Sequence, residues 1–85
     1  MEYLLISFRS RSTTVKISDF FSRNGLLNEI VNTPKEAQIG CGLSIKISKT
    51  ALYRARQLLS TMKESKNALF FSVKTIAGKR FVKNI

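Results

Sequence analysis

A single cysteine, Cys41, stands between Gly40 and Gly42, with Lys35 upstream and Lys46 downstream. Glycine on both sides removes the side chains that would screen the sulfur, and it lets backbone N–H groups turn toward an anion. Lysines nearby, in a chain of net charge +10, favour the thiolate over the thiol, whose ordinary pKa is about 8.5. A reachable thiolate can carry a sulfur atom as a persulfide, a role that needs a partner but no histidine base. Cys41 is therefore the candidate carrier thiol, Gly40 and Gly42 shape its site, and Lys35 and Lys46 are the candidate stabilising cations. A second reading stays open: free cysteine is among the most buried residue types, and Cys41 could be an apolar filler beside a strand, with its glycines serving only the turn.

Most other chemistry is excluded by composition. There is no histidine, and the five acids Glu2, Asp19, Glu29, Glu36 and Glu64 are scattered. Serine-histidine, cysteine-histidine and two-carboxylate mechanisms lack their parts. One cysteine without histidine is too little for a structural zinc site, and it allows no intramolecular disulfide. The glycines around Cys41 lack the Lys-Ser/Thr ending of a P-loop and the third glycine of a dinucleotide turn. The expectation is a protein that is not an enzyme and holds no cofactor.

The elements that must position Cys41 can be read from hydropathy. Tyr3 to Phe8 is nearly all apolar, as in a central strand buried on both faces. Ser10 or Ser12 can cap a helix running from about Ser12 to Arg23, closed by Asn24-Gly25. Leu26 to Val31 reads as a second strand that Thr33-Pro34 ends, and a long loop, Asn32 to Gly42, follows. Strict alternation from Leu43 to Ser48 marks the third strand. Ser48 or Thr50 can cap a second helix with Ala51, Leu52, Ala55, Leu58, Leu59 and Met62 on one stripe. Ala68 to Thr75 is a fourth strand, and Phe81, Val82 and Ile85 can add a fifth through a hairpin or dock across the sheet. The order βαββαβ predicts a single α+β domain over residues 1–85. It is a ferredoxin-like sandwich, an antiparallel sheet with two helices on one face.

Fifteen Lys and Arg against five Asp and Glu give a positive potential able to attract RNA, DNA, anionic membrane or an acidic protein, and charge alone does not choose among them. The basic residues are scattered, with one close group at Lys79-Arg80 near Lys74 and Lys83. Binding to nucleic acid is expected to be weak and salt-dependent, because scattered lysines contact phosphates without reading bases. The third strand also lacks the stacking aromatics of an RNA-recognition sheet; Tyr3 and Phe70 could replace them only if they face outward. No window reaches the roughly 18 apolar residues of a membrane span. A cytoplasmic protein that does not engage membranes is expected. Nothing in the sequence sets an oligomeric state.

Phe8-x-Ser10, Gly25, Pro34 and Cys41-Gly42-Leu43 occur in an order and spacing that resembles a small family of selenium/sulfur carrier-like proteins. The resemblance runs from Tyr3 to about Met62. It implies that Cys41 relays sulfur or selenium, as a persulfide or selenopersulfide, between donor and acceptor proteins. The alternative is a basic module binding RNA or an acidic partner, with a merely structural cysteine.

Overall fold

The computed structural model describes residues 2–37 and 42–85. Five strands form one sheet in the order β2-β3-β1-β4-β5, with every neighbouring pair antiparallel. β1 spans Glu2–Ser7, α1 Arg11–Arg23, β2 Glu29–Asn32, β3 Leu43–Ser48, α2 Leu52–Leu59, β4 Leu69–Ile76 and β5 Lys79–Asn84. The α+β class stands as expected, and the tail forms the fifth strand rather than docking loosely. Its hairpin turns on Ala77 (φ 51°) and Gly78 (φ 80°), two successive left-handed residues that match the twist of the flanking strands.

β1 lies at the centre because its apolar run can be buried on both faces. Leu4 and Ile6 meet Ile17 and Phe21 of α1, Ile45 and Ile47 of β3, and Ala55 and Leu59 of α2 in one core. Both helices therefore cover the same face of the sheet. The opposite face holds a smaller core of Leu5, Phe71, Val73 and Ala37. No helix among the described residues is long and apolar enough to cross a membrane.

Most strand ends shift by a residue from the sequence reading, and three differences have a local physical cause. β2 starts at Glu29 rather than Leu26, because Leu26 is consumed in closing α1. Its N–H donates to the Phe21 carbonyl at 2.9 Å while Gly25 takes a positive φ of 77°, the signature of a helix C-cap. α1 begins at Arg11, with Ser10 as its cap, its hydroxyl accepting from the Thr13 N–H. α2 is shorter than its stripe, since a 3-10 turn, Lys49–Ala51, precedes it. At its far end the Ser60 and Thr61 hydroxyls donate to the carbonyls of Gln57 and Leu58 at 2.6 and 2.8 Å, competing with the helical ladder. Met62 still packs against the core.

Candidate functional site

The long loop is closed at its neck by a buried set of polar contacts. The Thr33 N–H donates to the Gly42 carbonyl at 2.7 Å. The Ser44 hydroxyl lies 2.6 Å from that of Ser7 and 2.6 Å from that of Thr33, and all three side chains are buried. β1, β3 and the end of the β2 connection are thus joined by side chains where the loop enters and leaves the sheet. Gly42 takes φ +81°, with nothing within 4 Å of where a Cβ would stand. Its requirement is conformational, since only glycine adopts that backbone without strain. Replacing the central hydroxyl, Ser44→Ala, would leave Ser7 and Thr33 without this partner, at a cost of about 1–3 kcal/mol. A lower urea midpoint with unchanged slope is expected; an unchanged midpoint would show the cluster to be idle.

Cys41 and Gly40 lie outside the described residues, so the expected exposure of the sulfur has no structural counterpart here. The residues around them are defined. Gly42 sits at the neck, and β3 begins at Leu43, which puts Cys41 just ahead of a strand by sequence. Lys35 opens the 3-10 turn Lys35–Ala37 with its side chain exposed. Lys46 is half-buried, with its ammonium 4.5 Å from the centre of the Tyr3 ring. In the β1–β3 register Tyr3 faces Ser48 while Ser7 faces Ser44. The ammonium is therefore drawn along the sheet away from the neck.

The 3-10 turn also reaches β5. Arg80 donates through Nε and a terminal nitrogen to the two Glu36 carboxylate oxygens at 3.3 and 3.2 Å. This fork joins the loop after one edge strand to the opposite edge strand, across the face containing Leu5 and Val73. The Arg80 hydrogen bonds, helped by a backbone bond within Glu36, hold the Glu36 carboxyl below its ordinary value of 4.5. A depressed folded-state value contributes stability above the unfolded value and loses it as pH falls through the folded value. Titration of Glu36 followed by NMR should show a midpoint below 4.5 that rises in Arg80→Gln; a wild-type midpoint at or above 4.5 would contradict the clasp.

The pairing also redistributes the basic group seen in the sequence. Along β5 the pleat sends Arg80 and Val82 to the Glu36 side, while Phe81 and Lys83 line a groove on the other. Of the two aromatics considered as stacking groups, Phe70 packs on the helix side beneath the Arg56 guanidinium, 4.8 Å away. Tyr3 is on the opposite face, beneath Lys46. The two rings do not share one platform.

The sequence reading missed the hydroxyl cluster. Its signal was available: Ser7 and Ser44 occupy strand positions whose neighbours are core residues, where a small polar side chain needs a partner. Among the described residues no group of three or more His, Cys, Asp or Glu is placed to hold a metal ion.

No curated protein and no solved structure matches the chain. A family model does match, over residues 3–66, a span that contains Cys41, the loop and its neck. On that match, which takes in most of the 85 residues, the chain belongs to the family described as "Putative Se/S carrier protein-like".

Proposed function

We propose that this protein is a non-catalytic carrier that holds sulfur or selenium on Cys41 and relays it between a donor and an acceptor protein. The observation that carries the reading is the neck, Thr33 to Gly42 with Ser44 and Ser7 beneath it. It anchors both ends of the loop that holds the chain's single cysteine. Family membership supports the same reading. In the loading step the Cys41 thiolate attacks the terminal sulfur of a donor persulfide. A new S–S bond forms on Cys41, the donor's S–S bond breaks, and the donor sulfur leaves as a thiolate. No net oxidant is needed. A second thiolate, on the acceptor, removes the terminal sulfur by the same exchange, and selenium follows the same balance. The cytoplasm, where thiols stay reduced, suits such a step.

The architecture belongs with this proposal. Leaving β5 aside, the order β2-β3-β1-β4 with both helices on one face supports reading the domain as a ferredoxin-like βαββαβ unit that β5 extends at an edge.

The test is the rate of alkylation of Cys41 against pH, beside that of an unstructured cysteine peptide. Thiolate is the reacting form, so faster alkylation of the protein at neutral pH, with a lower midpoint, is expected. Protection until the protein is denatured would favour the structural cysteine.

A further inference from the structure

The helices leave part of their face of the sheet uncovered beside β4 and β5, and a groove of about 480 Å³ opens there. Its apolar surface comes from Leu4, Leu52, Phe81 and Ile85, with Lys74 and Lys83 among the residues that line it. Phe81 and Ile85 are 52% and 44% exposed. We propose that this groove docks an acidic segment of a partner protein, seating one or two of its apolar side chains between Phe81 and Leu52 while flanking carboxylates meet Lys74 and Lys83.

Charge selects this occupant. Four of the five acids are already paired: Glu2 with Lys49, both of which line the groove, Asp19 with Arg23, Glu36 with Arg80 and Glu64 with Lys16. The fifth, Glu29, is on β2, the opposite edge of the sheet. Glu2 is the one acidic side chain among the residues that line the groove, against Lys49, Lys74 and Lys83, so the lining is net positive and carboxylates from outside complement it. A second copy, also carrying +10, is disfavoured by repulsion. A nucleic acid would find one aromatic ring among aliphatic side chains, not the series of stacking surfaces that single strands use. An apolar patch with a charged surround is the anatomy of a protein-docking site.

The groove stands independently of the carrier reading. The family match ends at residue 66, before β4 and β5, so the wall bearing Lys74, Phe81, Lys83 and Ile85 is beyond the matched span.

A fluorescein-labelled, end-capped peptide alternating Glu and Leu is titrated with the full chain, with amide shifts recorded by NMR. Binding is expected, with shifts concentrated in β4, β5 and the start of α2. Phe81→Ser and Lys83→Glu, both at exposed positions, should each weaken it by about tenfold or more, and Lys66→Glu should leave it unchanged. The proposal is overturned if a Glu-Ser peptide or a uridine oligonucleotide binds as well at the same ionic strength, since charge alone would then account for the affinity. It is equally overturned if both groove variants keep wild-type affinity, or if the Glu-Leu peptide does not bind.

Discussion

Phe21→Ala is expected to lower stability by about 3–5 kcal/mol, the usual cost of removing a buried ring. Phe21 is fully buried, on the inward face of α1 against β1, β3 and α2. Domains of this length have only roughly 4–13 kcal/mol in total, so the substitution should remove a large share and leave a measurable unfolded fraction. Tyr53→Ala is the control, because Tyr53 is 79% exposed and should shift stability by no more than about 0.5 kcal/mol. Urea unfolding of both variants checks the claim. A loss below about 1 kcal/mol for Phe21→Ala would mean that α1 is not part of the principal core.

That core was largely legible from periodicity. Leu43 to Ser48 alternates without a break, and the strand has those bounds. The α2 stripe also sits as its spacing requires, although the helix around it is shorter. What periodicity could not show was where the ends of elements are spent. Leu26 looks like the first residue of a strand, yet its N–H closes α1. Nor could it show pairs made over long separations: Glu36 with Arg80, Lys46 with Tyr3, or Ser7 with Ser44. Such pairs depend on strand order, and a small shift in register would dissolve them. At the candidate site, Cys41, Gly40 and Gly42 were visible by residue type. The left-handed backbone of Gly42 gives one of them a physical reason.

Cys41→Ser should abolish persulfide loading, because serine has the shape of the thiol without its sulfur chemistry, and the chain has no second cysteine. The fold should survive, with the circular dichroism spectrum retained and binding of the Glu-Leu peptide at the groove unchanged. Loading is read as sulfur recovered with the protein after exposure to a persulfide donor and removal of excess reagent. Recovery from the serine variant at the wild-type level would place the sulfur elsewhere and end the carrier reading. Loss of the folded spectrum would instead assign Cys41 a structural part.

Accessible thiols in general can accept sulfur, so the decisive measurement compares the protein with an unstructured cysteine peptide at equal concentration. Both are exposed to a persulfide donor protein and followed by intact mass, before and after addition of a reductant and then of a second thiol as acceptor. The carrier account predicts that the protein gains the mass of one sulfur atom faster than the peptide, loses it to reductant, and transfers it to the acceptor. A protein that stays unmodified while the peptide loads, or that loads only once denatured, would contradict the account.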